Sequence, residues 1–231
     1  MSAAPNDVLA RIQPIVLVGG KSRRFGRDKL VEPWGEAGRV LVDYPIAALR
    51  GVFGPRVVVV GQCNPAVVAR ADGTIEDAHP GIGPIGGIVS ALVAWEGPVF
   101  VLAGDMPAFG ARDVERIVRR WYPGHLGVHA VLAETADGLH PCAGLYAYEA
   151  RIALQARIAA GEHRLTTALP HDAVIRVACE PASVANVNSL ENASPGDDAS
   201  PGADPSTSAG ASTPSRRQAR ASSHRPDPGL R

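Results

Sequence analysis

The chain has 231 residues, with 23 Lys+Arg against 23 Asp+Glu, a formal net charge of 0, and 45% hydrophobic and 20% charged residues. That balance is ordinary for a globular protein and gives no overall pull toward nucleic acid or an anionic membrane, so neither is expected as a partner and any anion site must come from a local cluster. The longest apolar runs are too short to cross a bilayer, residues 1–7 lack a basic segment ahead of an apolar one, and the scattered Cys63, Cys142 and Cys179 form no metal-type or disulfide spacing, so the expected location is cytoplasmic.

Residues 15–18 form an apolar run that ends in Gly19-Gly20 and read as a buried strand. Val42, Ile46, Leu49 and Phe53 have helical spacing, 57–60 is a second buried strand, and 74–76 is a short third one. Ile85, Ile88, Val89 and Leu92 fall at i, i+3, i+4 and i+7, one face of a helix. Residues 99–102 follow as a strand, and Val114, Ile117, Val118 and Trp121 repeat the helical spacing. Residues 128–132 and 143–148 read as strands, 152–160 as a helix and 174–177 as a last strand. This alternation predicts an α/β domain, a mostly parallel sheet with helices on both faces. Ligands of such sheets bind beyond the carboxyl ends of the strands, here immediately after Val18, Val60, Glu76 and Leu102.

Composition shifts after Asn192. Residues 193–231 are dominated by Ala, Ser, Pro, Gly, Asp and Arg, with Leu230 the only large aliphatic residue, so this stretch is expected to be a disordered tail. It is acidic early and basic late, and the competing reading is a tail that docks on nucleic acid or a protein. The expected organisation is an N-terminal extension over 1–13, a single domain over 14–192 and the tail.

The segment after the first strand, from Gly19 to Lys29, carries five cations (Lys21, Arg23, Arg24, Arg27, Lys29) and one acid, Asp28, in a chain of zero net charge. Glycines let main-chain N–H groups approach an anion, and Lys and Arg add charge-assisted hydrogen bonds to phosphate oxygens. The segment matches neither the Walker A nor the dinucleotide-binding glycine pattern. A mobile basic loop with turn glycines is the alternative. A second Gly-rich stretch, Gly81, Gly83, Gly86 and Gly87, leads into the predicted helix that holds Ile88, where it serves either an anion or close packing. Asp105 follows an apolar strand and precedes Met106-Pro107, so it reads either as a Mg²⁺-holding carboxylate or as a helix cap. His125 and His129 are four apart, but Pro123, Gly124 and Gly127 argue against a helix there, and no zinc site is expected.

The run Leu17-Val18-Gly19-Gly20-Lys21-Ser22-Arg23-Arg24-Phe25-Gly26-Arg27-Asp28-Lys29 resembles the signature of the MobA-like nucleotidyltransferases, with Val18 and Phe25 as departures. Further segments agree in order: Glu76-Asp77, Gly83-Pro84-Ile85-Gly86-Gly87, Gly104-Asp105-Met106-Pro107, His140-Pro141 with Gly144-Leu145-Tyr146, and Asn186-Val187-Asn188-Ser189-Leu190-Glu191. The resemblance implies a three-layer Rossmann-like nucleotidyltransferase fold. It implies Leu17, Val18, Gly19, Gly20, Lys29, Asp77 and Asp105 as nucleotide-binding residues, with Lys29, Asp105 and Arg24 in catalysis and Asp105 holding Mg²⁺. Asn186 and Asn188 fall on the acceptor side. The family asparagine after the second strand has no match at Val60-Gly61, where Gln62 is the nearest amide.

The Gly19-Gly20 pair matches relatives that move a guanylyl group rather than a cytidylyl group. The implied substrates are therefore GTP and a molybdopterin-type molybdenum cofactor, giving the guanine dinucleotide and pyrophosphate. Transient contacts with proteins that donate that cofactor or receive the product follow from the same resemblance. A CTP-using sister enzyme, a different phosphorylated acceptor and a non-catalytic nucleotide-binding partner protein are the alternatives.

Overall fold

The structure is a computed structural model and describes residues 6–19, 28–121 and 127–187. The tail at 193–231 lies outside them, as do Gly20, Arg24, Asn188 and His125.

Seven strands form one sheet: β1 (Gln13–Leu17), β2 (Val58–Val60), β3 (Gly73–Ile75), β4 (Val99–Ala103), β5 (Ala130–Thr135), β6 (Gly138–Tyr146) and β7 (Val174–Ala178). Their order is β3-β2-β1-β4-β6-β5-β7. All neighbours are parallel except those of β6, which runs antiparallel to both β4 and β5. The helices are α1 (Asn6–Arg11), α2 (Asp43–Phe53), α3 (Pro65–Val68), α4 (Pro84–Trp95), α5 (Ala111–Val118) and α6 (Ala150–Ala159).

Side chains alternate across a strand, so each strand feeds two cores. Val16, Val59, Phe100, Leu102 and Val131 point to one face, where Ile46, Leu49, Val114 and Ile117 of α2 and α5 cover them. Ile15, Val60, Val99, Val101 and Leu132 point to the other, against Ile85, Ile88 and Leu92 of α4 and Leu154 of α6. Two helical layers therefore sandwich the sheet, as the alternation of elements predicts. The predicted face of α4 is wholly buried.

Three elements depart from the sequence reading. Residues 6–13, read as part of an extension, are built into the domain. The Arg56 guanidinium gathers the carbonyls at the end of α1, bonding Leu9 and reaching Ala10 and Ile12 at 2.9 Å each, and Gln13 opens β1. The helix is too short to show a period. Trp121, read as part of α5, lies beyond its last residue and packs partly buried on the core. Strand β6 starts five residues before the expected 143, because His140-Pro141 looks like a strand breaker: proline cannot donate to a ladder. The strand accommodates it with a bulge, in which Leu132 pairs with Gly144 and Ala133 with His140. The Tyr146 hydroxyl donates to the Pro141 carbonyl at 2.7 Å.

The parallel half sets up the site. Leu17 is level with Val60 and Ala103, and Val60 with Ile75. Four strands thus end on one line, and the residues that follow them form one rim.

Candidate active site

Lys29 and Asp105, 76 positions apart in sequence, meet on that rim, with the Lys29 ammonium donating to Asp105 Oδ2 at 2.6 Å. Both side chains are sheltered but reachable, 25% and 20% exposed. Their approach is built from packing. Lys29 opens a short 3-10 turn, Lys29–Val31, capped by Asp28, whose Oδ1 accepts the Leu30 N–H at 3.1 Å. Asp28 Oδ2 accepts the Asn64 N–H at 3.3 Å, which ties the turn to the start of α3. Leu30 is buried and packs on Gly104, where a Cβ would lie 3.1 Å from both Leu30 Cδ2 and the Leu17 carbonyl oxygen. The Gly104 N–H bonds that carbonyl at 3.0 Å. A glycine directly before Asp105 therefore lets the Lys29 turn and the end of β1 close on β4.

The helix-cap alternative for Asp105 fails. Helix α5 begins at Ala111 with Gly110 as its cap residue, and Asp113 Oδ2 accepts the Gly110 N–H at 3.2 Å. Asp105 instead gives its Oδ2 to Lys29. Its main-chain carbonyl accepts the Val187 N–H at 2.9 Å, and the Val187 carbonyl accepts from Lys29 at 3.1 Å. This return of the chain brings Asn186, exposed at the rim, beside the charged pair.

Leu17 and Val18 reach the rim through main chain only. The Val18 side chain is buried with the α2 and α5 core and that of Leu17 packs on the α4 side. The Val18 N–H donates to the Val60 carbonyl at 3.0 Å. Gly19 is exposed on the rim and meets Gly61, whose φ is +107° and whose Cβ, if present, would lie 2.9 Å from the Gly19 nitrogen. The two loops approach there as only a glycine at 61 permits. The neighbouring Gln62 is exposed.

Asp77 lies at the far end, after β3. Its Oδ1 accepts the His79 N–H at 2.8 Å and sits 3.4 Å from the Ser90 hydroxyl. A local turn at His79 occupies that oxygen, and Oδ2 makes no hydrogen bond to the described residues. At about 4.8 Å per strand, Asp77 and Asp105 terminate strands about 14 Å apart. Of the second glycine stretch, Gly86 and Gly87 serve packing: a Cβ on Gly86 would lie 2.7 Å from the His79 carbonyl oxygen, and one on Gly87 3.0 Å from Leu17 Cδ2.

Cys142 lies near this rim as an inert thiol; burial, and then the charge of Asp105, push it up to about 12. No group of three or more His, Cys, Asp or Glu among the described residues is placed to hold a metal ion. A single carboxylate on an open rim instead suits a hard cation that takes its other ligands from water and phosphate. The sequence reading quotes Val187 within the segment 186–191 but gives it no role, since its contribution is main chain.

The profile of the MobA-like NTP transferase domain matches residues 14–174. The chain belongs to that family. It is accordingly a nucleotidyltransferase. The chain is 33% identical over 194 residues to a probable molybdenum cofactor guanylyltransferase of Opitutus terrae, covering 77% of this chain and 90% of that one. It is 31% identical over 159 residues to a protein of that description from Chloroflexus aggregans, covering 67% and 74%. Among solved structures, a protein from Aquifex aeolicus superposes with a TM-score of 0.62 at 24% identity, covering 78% of this chain and 96% of that one. Molybdopterin-guanine dinucleotide biosynthesis protein A from Archaeoglobus fulgidus superposes with 0.59, also at 24%, covering 78% and 94%. These two likenesses show the fold. In this MobA-like transferase Leu17, Val18, Gly19, Asp77 and Asp105 lie at or just beyond the carboxyl ends of β1, β3 and β4. No helix among the described residues is long and apolar enough to cross a membrane.

Proposed function

We propose that this MobA-like transferase moves GMP from GTP to a molybdopterin-type molybdenum cofactor and releases pyrophosphate. The observation that carries the reading is the Lys29–Asp105 pair at the end of β4, on one rim with the Gly19–Gly61 approach and Asp77. The Gly19-Gly20 pair and the names of the curated relatives favour guanine and this acceptor.

In the proposed reaction an acceptor phosphate oxygen attacks the α-phosphorus of GTP, a new P–O bond forms, and the bond to the bridging α–β oxygen breaks with its electron pair leaving on pyrophosphate. Negative charge builds on the oxygens around the α-phosphorus and on the leaving group. Lys29 binds a phosphate oxygen and balances that charge, and Arg24 adds a second cation from the basic segment. Asp105 would hold Mg²⁺, which when bound supplies Lewis-acid stabilisation of phosphate oxygens. Its single carboxylate fits an ion that completes its octahedron from water and substrate. Asp77, through the oxygen its turn leaves over, contacts the nucleoside end. Asn186 and Asn188 serve the acceptor, whose delivery and onward passage involve transient contacts with cofactor-donating and molybdoenzyme proteins. The catalytic unit is the domain that ends at residue 192, with residues 6–13 built into it, and it works in the cytoplasm.

A competition between GTP and CTP with molybdenum cofactor and Mg²⁺, read by pyrophosphate release and by the dinucleotide formed, tests this. GTP consumption with guanine dinucleotide as product is expected. Preference for CTP would reassign the base, and no pyrophosphate with either would leave a nucleotide-binding protein without transfer.

A further inference from the structure

Among the described residues Lys29 has two partners, and one of them is main chain. Its ammonium donates to Asp105 Oδ2 at 2.6 Å and to the Val187 carbonyl at 3.1 Å. The Val187 N–H donates to the Asp105 carbonyl at 2.9 Å. One residue thereby clasps both members of the charged pair. Its side chain is buried, and it packs with Val184 in the cluster that also holds Leu30 and Met106, the sequence neighbours of Lys29 and Asp105. The clasp lies outside residues 14–174, the part of the chain that the family profile matches.

An ammonium carries three donors and no acceptor. With two of them fixed by the protein, the direction of the third is fixed as well. We propose that the main chain of Val187 is a positioning element of the transfer site, which aims the remaining donor of Lys29 at a phosphate oxygen and links the acceptor-side segment bearing Asn186 to the nucleotide end. The proposal rests on Lys29 being the phosphate contact. The positive charge of Lys29 attracts a triphosphate from many rotamers. Alignment matters most when charge peaks in the transition state, so a misaimed lysine lowers kcat more than it raises KM.

The test uses the full chain. Val187→Pro keeps the carbonyl and removes the N–H. The expected result is a fall in kcat for pyrophosphate release of about tenfold with the KM for GTP within about twofold, the size of one weakened hydrogen bond to a charged group. Val187→Gly keeps both main-chain groups but loses the buried side chain, and serves if the proline variant does not fold; it shifts kcat in the same direction, and Val187→Ile restores it. In a Lys29→Ala background neither substitution lowers kcat further. Normal kcat in the folded variants overturns the proposal. So does a loss carried by KM, or one of equal size in the Lys29→Ala background, which would mark a purely structural role. Normal turnover in Lys29→Ala alone overturns the reading of Lys29 as the phosphate contact, and the positioning role with it.

Discussion

The two halves of the sheet solve different problems. In β3-β2-β1-β4 every strand is parallel and all four stop on one line, so the loops that follow form a continuous shelf. In β6-β5-β7 the middle of the sheet is crossed by an antiparallel strand with a proline and a bulge, and the chain then returns to the shelf at Val187. The first half is a regular platform whose chemistry sits in its loops. The second is irregular in its backbone, and its most direct contribution to the charged pair is backbone too. The comparison teaches that the proposed nucleotide site and structural closure reside in separable parts, and substitutions can pull them apart.

The largest effect belongs to the shelf. Asp105→Asn is close to isosteric and lies at a strand end, so the melting temperature stays near that of the parent while turnover falls by about 10²–10³, the scale for losing one preorganised electrostatic group. A normal rate at ordinary Mg²⁺ would remove Asp105 from the reaction. Lys29→Ala follows, with GTP binding and transfer weakened together by about tenfold to a hundredfold, since a hydrogen bond to a charged group is worth about 1.5–3 kcal/mol. Titration calorimetry and initial rates measure the two effects separately.

A pair of glycines contrasts the halves directly. In Gly144→Ala the new Cβ would lie 2.5 Å from both Leu132 Cδ2 and the Val131 carbonyl oxygen. We expect a loss of stability of about 1–3 kcal/mol by overpacking, with the KM for GTP unchanged. Gly61→Ala forces a side chain onto a φ of +107° and against Gly19. Its cost appears as a raised KM for GTP, because the loops it separates are those of the shelf. If both variants lose only stability, the division between the halves is wrong.

Two smaller effects complete the set. The Cys142 thiol, at about 12, stays protonated at pH 8, so alkylation leaves it unmodified in the folded protein and modifies it once the chain is unfolded. Labelling in the folded state would show the rim more open than the geometry here. Truncation after Asn192 leaves melting temperature and transfer rate unchanged, and a clear drop in either would tie the tail to the domain.

The same contrast explains what the sequence alone made legible. Strands such as 15–18 and 99–102 are continuous apolar runs closed by Gly, and α4 shows its buried face at i, i+3, i+4 and i+7, so the shelf and its position were readable. Asp105 stands directly on that punctuation, and Lys29 closes the basic segment that starts from it. Strand β6 was readable only from residue 143 on, because the proline that breaks the pattern is absorbed by a bulge and by Tyr146, a tertiary contact with no local signal. Val187 was invisible as a functional residue for a different reason. Every residue has a carbonyl, and only the fold decides which one faces a lysine. Asp77 stands between these cases: its place and a turn role before Pro80 were legible, but which oxygen the turn takes was not.

Hydrogen exchange on the full chain, with and without GTP and Mg²⁺, tests the central claim most directly. The account predicts slowed exchange at Gly19, Gly61, Ala78–His79 and Gly104–Asp105, with little change along the β5–β6 hairpin at 133–140. Protection confined to that hairpin, with the ends of β1 to β4 unaffected, would contradict it.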